Sequence, residues 1–223
     1  NVMVTVAKFG IFLSLLSFLK RSGEVIVLDP YYPSYPNMVT MLGMKARIIK
    51  TNPDFSINFE SLLNAINKKT VAIIINSPNN PTGKVYSGYD LKNIARIADE
   101  NGIYVISDEI YENYVYENEF HSMLEFMDLK KLFIINSFSK SYSMAGWRIG
   151  FVITHESNIK KIDTSQQNTI TCASSISQYA ALKALEDPET PRLLREKFKK
   201  RMEKVVKILG ECDKLIVKKP EGA

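Results

Sequence analysis

The sequence predicts an α/β protein of three layers, in which a mostly parallel β-sheet is covered by helices on both sides. Short apolar segments alternate with segments of helical periodicity along most of the chain. The apolar segments are almost free of charge, which is typical of strands buried on both faces. Polar and aromatic residues follow several of them directly. In open α/β sheets, ligands bind beyond the carboxyl ends of the strands, so we expect the chemistry to lie there.

Strands are predicted where short runs are rich in apolar and β-branched residues. The run at 71–75 contains only Val, Ala and Ile. The predicted strands are 25–28, 45–49, 71–75, 104–107, 132–136 and 149–153. Two further runs, 2–5 and 215–217, are strand-like and lie near the two ends of the sequence.

Helices are predicted between the strands, where apolar residues recur every three or four positions. The predicted helices are 7–20, 35–42, 59–67, 90–101, 176–185 and 191–209. The first contains the most apolar stretch, which Lys8 and Lys20 bracket, so it is too short to span a membrane and is interpreted as a buried helix. The last is amphipathic and is expected to lead away from the sheet.

The composition is that of an ordinary globular protein, with 223 residues, 45% apolar residues and a net charge of +5. The densest basic group, at 197–207, alternates with apolar residues at helical spacing, so it is interpreted as a solvated helix face and not as a nucleic-acid site. Cys172 and Cys212 have no metal or redox spacing, which favours a reducing, cytoplasmic location. With only two histidines, no metal site is expected.

Both ends of the sequence suggest a part of a longer protein. The chain opens without Met, directly on the strand-like run 2–5. It stops just after the strand-like run 215–217. We therefore expect further sequence on both sides.

The segment around Lys140 carries the first chemical signal. Lys140 stands in Ser-Phe-Ser-Lys-Ser at 137–141, just after a predicted strand. A lysine in a loop is usually a surface residue, but a partly neutral lysine forms a Schiff base. The run Gly-Trp-Arg-Ile-Gly follows at 146–150, and Arg148 between two glycines is suited to close contact with a phosphate.

Two other segments end predicted strands with polar residues. Asp108 follows an apolar strand; it is either a local cap or a buried carboxylate that requires a positive partner, such as a protonated pyridine nitrogen. The run Asn-Asn-Pro-Thr-Gly at 79–83 is typical of a turn, and such a turn also fixes an amide side chain towards a ligand.

Four motifs in this order resemble the class I/II aminotransferases, the fold-type I pyridoxal-phosphate enzymes related to aspartate aminotransferase. They are Asn-Pro-Thr-Gly at 80–83, Ser-Asp-Glu-Ile-Tyr at 107–111, Ser-Phe-Ser-Lys at 137–140 and Gly-Trp-Arg-Ile-Gly at 146–150. The resemblance extends over essentially the whole chain. It implies a cofactor-binding large domain at 1–190 and the start of a truncated small domain at 191–223, most of which is missing.

The resemblance also implies a role for each site residue. Lys140 would hold pyridoxal phosphate as a Schiff base and then move the proton between the substrate Cα and the cofactor C4′, and Tyr111 would assist it. Asp108 would pair with the pyridine nitrogen, and Asn80 and Tyr111 would bind the phenolic oxygen. Ser137 and Arg148 would bind the phosphate. Tyr32, in the Asp-Pro-Tyr-Tyr run at 29–32, would stack on the ring.

The family pattern differs from this sequence at one place. The family usually has Thr-x-Gly-Ala/Gly-Lys where the first helix begins and its amides bind the phosphate. Here the run is Thr-Val-Ala-Lys at 5–8, one small residue shorter. Ala7 and Lys8 are the residues carried over for this contact.

The resemblance further implies a homodimer, because the segment 166–171 is similar to a region near the family's dimer interface. The implied activity is transfer of an amino group from an amino acid, of aspartate or aromatic type, to a 2-oxo acid. A β-lyase or decarboxylase of the same fold would use the same cofactor residues, and a regulator's sensing domain would bind the cofactor without turnover. A plain nucleotide-binding domain is disfavoured, because neither Gly-x-Gly-x-x-Gly after a strand nor a P-loop is present.

Overall fold

The computed structural model describes residues 1–17 and 22–223 of the chain, and a single mixed sheet runs through this part. Its strands agree with the predicted ones to within one or two residues, and the run near the start of the chain forms a strand as well. They are β1 (Val2–Thr5), β2 (Glu24–Asp29), β3 (Lys45–Lys50), β4 (Thr70–Asn76), β5 (Tyr104–Asp108), β6 (Leu132–Ser137) and β7 (Gly150–Ile153).

The order of the strands across the sheet is β1-β7-β6-β5-β4-β2-β3. Strands β2 to β6 pair in parallel wherever they are neighbours. Strand β7 is antiparallel to both β6 and β1. The start of β7 therefore lies at the same edge of the sheet as the carboxyl ends of the other strands. The predicted α/β class with a mostly parallel sheet is confirmed.

Helices cover both faces of this sheet in the part of the chain that the structure describes. They are α1 (Ala7–Ser17), α2 (Ser34–Met41), α3 (Phe59–Ala65), α4 (Gly88–Asn101), α5 (Phe138–Ser141), α6 (Glu156–Gln167), α7 (Ser175–Leu185) and α8 (Glu189–Gly210). The first helix was predicted to run to residue 20, and residues 18–20 lie outside the described residues. Short 3-10 helices occur at Met123–Glu125 and Ala145–Trp147.

The alternation of side chains along the strands divides the core in two. In β4, Ile73 and Ile75 belong to a cluster with residues of α3 and α4. The alternate residues, Ala72 and Ile74, belong to a second cluster with residues of α1, α2 and α6. Successive side chains of a strand point to opposite faces of the sheet, and here each face is covered by helices. The strands must therefore be apolar at every position, as the sequence showed. The three-layer architecture follows from this pattern.

One strand-like run forms no strand, and two helices, the one-turn α5 and the longer α6, were not predicted. The run 215–217 forms no strand: Ile216 is 94% exposed, and the run pairs with none of the described strands. Helix α6 was not predicted, because two of its three buried residues, Asn158 and Gln166, are polar. These residues keep the four-residue spacing with Ile162, but the spacing is invisible to a search for apolar periodicity.

Helix α8 begins at the boundary proposed for the second domain and packs differently from the others. Of its 22 residues, all of them described, only Pro191 is buried. This agrees with the expectation that the helix leads away from the sheet. Among residues 1–17 and 22–223, no helix is both long enough and apolar enough to cross a membrane.

At Gly150, the first residue of β7, the chain packs closely against β6 and against the start of α1. This contact lies at the edge of the sheet that carries the polar residues. A Cβ atom at this position would lie 2.4 Å from the Asn136 carbonyl oxygen and 3.1 Å from the Ala7 Cβ. Both neighbours belong to packed elements, so neither moves aside easily. Glycine is required here to bring β7, β6 and the start of α1 together.

We expect Gly150→Ala to lower the free energy of unfolding by about 1–3 kcal/mol, the usual cost of overpacking a core site. Gly146→Ala is the matched control in the same segment, because an added Cβ there meets nothing within 4 Å. Urea denaturation of both variants checks this. Equal stability of the two variants would contradict the close approach.

Candidate active site

A cavity of about 260 Å³ lies at the edge of the sheet where the parallel strands end. All nine residues that the sequence predicted for the site line it. The lining is Ala7, Lys8, Ile11, Tyr32, Tyr35, Asn76, Asn80, Asp108, Ile110, Tyr111, Ser137, Ser139, Lys140, Ala145 and Arg148. These residues come from six separate segments of the chain, which the strand order brings together.

Lys140 enters the cavity from α5, a one-turn helix directly after β6. The Ser137 side chain caps this helix by accepting a hydrogen bond from the Ser139 amide at 3.0 Å. The Lys140 Nζ lies 5.3 Å from the centre of the Tyr111 ring, within cation–π distance. The amine thus lies against the aromatic wall of the cavity.

Asp108 is the buried charge of the site. It ends β5, is 3% exposed, and accepts a hydrogen bond from the Tyr35 hydroxyl at 2.7 Å. Burial raises the pKa of its carboxyl to about 6, although Tyr35, the Ile110 amide and the charge of Lys140 act to lower it. Burial also raises the pKa of Tyr35 well above its usual value, so its hydroxyl stays protonated and donates. At neutral pH the carboxyl is therefore mostly ionised but holds its charge at a cost, and a further positive partner would stabilise it.

Asn76 links the end of β4 to the end of β5. Its amide nitrogen donates to the Asp108 carbonyl oxygen at 2.8 Å. Its side-chain oxygen accepts from the Asn80 amide, also at 2.8 Å. The turn at 79–83 is closed by a hydrogen bond from Gly83 N to the Asn79 carbonyl oxygen at 2.8 Å. Asn80 is thereby held at the cavity wall beside Asp108.

Hydroxyl and cationic groups gather at one side of the cavity. Ser137 and Ser139 are joined by a hydrogen bond of 2.9 Å between their hydroxyls. Arg148 follows a short 3-10 helix in a left-handed conformation, φ 52°, and its guanidinium donates to the Ala145 carbonyl oxygen at 2.6 Å. Ala7 is the first residue of α1, whose free amides are suited to an anion. This side has the donors that a phosphate requires.

Tyr32 and Lys8 form a further part of the wall. The Lys8 Nζ lies 5.4 Å from the centre of the Tyr32 ring. Hydrogen bonding to Lys8 and then to Ser34 lowers the pKa of the Tyr32 hydroxyl. The Tyr32 ring meets Tyr35 edge to face, with centroids 5.6 Å apart. Despite the short run at 5–8, Lys8 still reaches the cavity.

The donors and acceptors of the cavity fit pyridoxal phosphate, the cofactor that the resemblance implies. A buried carboxylate in need of a cation suits a protonated ring nitrogen. The serine hydroxyls and the cations near them suit a phosphate, and the amine of Lys140 suits an aldehyde. No group of three or more His, Cys, Asp or Glu residues in the described ranges is arranged to hold a metal ion.

Three polar residues of the cavity, Tyr35, Asn76 and Ser139, were not among the predicted site residues, although Ser139 stands inside the Ser-Phe-Ser-Lys motif. Tyr35 binds Asp108 across 73 residues of chain, and nothing local to either residue indicates the contact. Its spacing of three residues from Tyr32, at the start of a predicted helix, is the one available signal. Asn76 was visible as the polar end of an apolar strand, but it was treated only as the start of the following turn.

Comparison with known proteins gives one consistent family. Residues 5–223 match the family described as aminotransferase class I and II. The chain is 37% identical over 222 residues to an aspartate aminotransferase of Sulfolobus acidocaldarius, covering 97% of this chain and 56% of that protein. It is 44% identical over 201 residues to a (5-formylfuran-3-yl)methyl phosphate transaminase of Methanocaldococcus jannaschii, covering 89% and 51%.

The fold gives the same result. The structure of an aspartate aminotransferase from Thermotoga maritima superimposes with a TM-score of 0.95 at 37% identity, covering all of this chain and 60% of that one. The chain thus spans between about half and three fifths of the length of the proteins that it matches.

The buried Asp108 predicts a pH-dependent stability in the protein without cofactor. A pKa raised from 3.8 to about 6 means that the folded state holds a proton that the unfolded state has lost. The protonated Asp108 carboxyl stabilises the folded state relative to the unfolded state. This stabilisation is complete below the unfolded pKa of 3.8 and is lost as the pH rises through about 6. Relative to Asp108→Asn, wild type should lose stability on the order of 3 kcal/mol as an upper bound between pH 4 and pH 6.

Denaturant unfolding of both proteins at a series of pH values measures this difference. Asp99→Asn, which changes an exposed aspartate of α4, is the control. Its free energy of unfolding should depend on pH as that of wild type does. If the difference in the free energy of unfolding between wild type and Asp108→Asn does not change with pH, then burial does not raise the pKa of the Asp108 carboxyl.

Proposed function

The chain belongs to the aminotransferase class I and II family, and from that membership we propose that the protein transfers an amino group from an amino acid to a 2-oxo acid with pyridoxal phosphate. The observation that carries the proposal is the cavity that is lined by Lys140, by the buried Asp108 and by a cluster of hydroxyl and cationic groups suited to a phosphate. When bound, pyridoxal phosphate supplies an electron sink for the negative charge that develops at the substrate Cα.

Lys140 has two tasks in this proposal. Its amine would hold the cofactor covalently, and as a free amine it would take up and return the proton at the substrate Cα. Its place against the Tyr111 ring supports both tasks, because the ring keeps the amine at the cavity wall. Tyr111 is proposed to assist through its hydroxyl.

Asp108 would hold the ring nitrogen in its protonated form. The Tyr35 hydroxyl orients the carboxylate, and Asn76 fixes the end of the strand that carries it. Asn80 and Tyr111 are proposed to donate hydrogen bonds to the phenolic oxygen. A charged pair between carboxylate and ring nitrogen would remove the cost of burying Asp108 alone.

The remaining predicted residues would bind the other parts of the cofactor. We propose that Ser137, Arg148, Ala7 and Lys8 bind the phosphate. The hydroxyl pair at the start of α5 and the amides at the start of α1 support this assignment. Tyr32 would pack its ring against the cofactor ring, and its edge contact with Tyr35 supports that position.

The substrate proposal is limited to a class. The relatives named above are described as an aspartate aminotransferase and as a transaminase of a formylfuran phosphate, so the named substrate differs among similar proteins. We propose an amino acid of the aspartate or aromatic type as the donor and a 2-oxo acid as the acceptor. A cytoplasmic location is proposed as well, supported by the free, exposed thiols of Cys172 and Cys212.

We further propose that residues 1–190 form the cofactor-binding domain and that 191–223 begin a second, smaller one. The sparse burial of α8 supports this division. The last residues nevertheless return to the first domain, where the Glu221 carboxylate accepts from the Val85 amide at 2.9 Å and pairs with Lys84 at 2.7 Å.

A homodimer is proposed on the evidence of an apolar groove of about 540 Å³ beside the cavity. Phe9, Phe12, Met41 and Ile170 contribute to it, and Ile170 belongs to the segment that the sequence placed near a dimer interface. The groove shares Lys8 and Arg148 with the candidate active site. A second copy seated there would bury this surface and close the site.

We expect Met41→Glu to weaken self-association by about tenfold or more, because each copy would bury an unpaired charge at the interface. Tyr89→Glu, at a side chain of nearly equal exposure (75% against 76%) on α4, is the matched control. Sedimentation velocity over a range of concentrations distinguishes them. Unchanged association of Met41→Glu would place the interface elsewhere.

We expect the purified protein to develop a visible absorbance band with pyridoxal phosphate, and borohydride reduction to leave the cofactor on the Lys140 peptide. Lys140→Ala should lack the band and lose amino transfer by about a thousandfold or more, since it removes the covalent and the proton-transfer group together. Lys130→Ala, an exposed lysine before β6, should behave as wild type.

Product analysis identifies the reaction. A new amino acid formed from the 2-oxo acid supports transamination, whereas pyruvate with ammonia would indicate a β-lyase. Absence of the band at saturating cofactor would overturn the proposed cofactor site. A band without turnover of any amino acid would point to the sensing alternative.

A further inference from the structure

The segment that follows β5 holds the end of α5 through two neighbouring side chains. The Asn113 amide donates to the Ser141 hydroxyl at 2.9 Å. The Tyr114 hydroxyl donates to the Lys140 carbonyl oxygen, also at 2.9 Å. The same segment carries Tyr111, whose ring faces the Lys140 amine. Both the main chain and the side chain of Lys140 are therefore in contact with one stretch of residues.

The Lys140 carbonyl requires such a partner because α5 has only four residues. The last carbonyl groups of a helix have no partner within it, and a one-turn helix consists largely of ends. The Ser143 amide also donates to this oxygen, but at 3.2 Å. Burial raises the pKa of Tyr114, which keeps its hydroxyl a donor at neutral pH. The Tyr142 amide at the end of α5 is directed at the same oxygen, and the hydrogen bond from Tyr114 is shorter than the one from Ser143.

Tyr114 is itself fixed from three directions. Its amide donates to the Tyr111 carbonyl oxygen at 2.7 Å, and its own carbonyl oxygen accepts from the Ala223 amide at 2.9 Å. Its ring meets Phe198 of α8 edge to face, with centroids 5.4 Å apart. These contacts hold Tyr114 in place, so its hydroxyl is fixed relative to Lys140.

We propose that Tyr114 is a positioning residue for Lys140, and that its hydroxyl fixes the main chain from which the amine reaches the cavity. The inference rests on the role of Lys140 in the proposed function. It concerns the hydroxyl and not the ring, because the ring contact with Phe198 is independent of the hydrogen bond to Lys140. Without the hydroxyl, the end of α5 gains freedom and the amine leaves the Tyr111 ring more often.

The test compares Tyr114→Phe with Tyr116→Phe. Tyr116 is the matched control: its pKa is likewise raised by burial, and its hydroxyl donates to the Ala223 carbonyl oxygen at 3.1 Å and not to a residue of α5. The first readout is the rate at which an amine-reactive reagent labels Lys140 in the protein without cofactor, measured by peptide mass spectrometry across the titration range of a lysine amine. Lys131 in the same sample is the internal reference.

Tyr114→Phe should label Lys140 about fivefold faster, the change expected for one neutral hydrogen bond, with Lys131 unchanged. The dissociation constant for pyridoxal phosphate should rise by a similar factor. Tyr116→Phe should stay within about twofold of wild type in both measurements.

The positioning role is overturned if Tyr114→Phe labels Lys140 at the wild-type rate, if Tyr116→Phe accelerates it equally, or if Lys131 accelerates as much as Lys140. The last result would show general loosening of the fold. Failure of the wild-type protein to attach pyridoxal phosphate would instead overturn the proposed function. The labelling comparison needs no cofactor, so the two failures are distinguished.

Discussion

The carboxylate of Asp108 sits at the buried end of a central strand, where an uncompensated charge is unfavourable. Its partners on the chain are the Tyr35 hydroxyl at 2.7 Å and a long contact with the Ile110 amide at 3.4 Å. Together with Lys140 they do not restore an ordinary pKa, which remains at about 6. A site with this deficit is arranged for a ligand that brings a positive charge. The neighbouring residues would position that ligand, and the protein without it bears the cost of the buried charge.

The order of the strands decides which residues meet Asp108. Parallel strands place the ends of β2, β4, β5 and β6 at one edge, so segments far apart in sequence converge there. The reversed strand β7 adds its beginning to the same edge and brings Arg148 with it. Gly150 permits the close packing of this corner. The side chains of Asn76 and Tyr114 then hold, through hydrogen bonds to the main chain, the segments that carry Asn80 and Lys140.

The sequence was informative wherever structure is encoded locally. Strands such as β4 are recognisable from their composition, and polar residues at their ends follow from the sheet rule, so all nine predicted residues line one cavity. The missed features depend on distant partners or on polar residues in apolar roles. Tyr35 and Tyr114 reach their partners across 73 and 26 residues, and α6 is buried through Asn158 and Gln166. The run 215–217 has the composition of a strand but no neighbouring strand to pair with in the described part of the chain.

The most direct measurement is the carboxyl pKa of Asp108 itself, followed by carbon-13 NMR in protein labelled at aspartate, with the signal assigned through Asp108→Asn. We expect a pKa of about 6 without cofactor and a carboxylate that stays ionised down to a clearly lower pH once pyridoxal phosphate is bound. An ordinary aspartate pKa without cofactor, or a value that does not fall when the cofactor binds, would contradict the pairing of Asp108 with a positively charged ring.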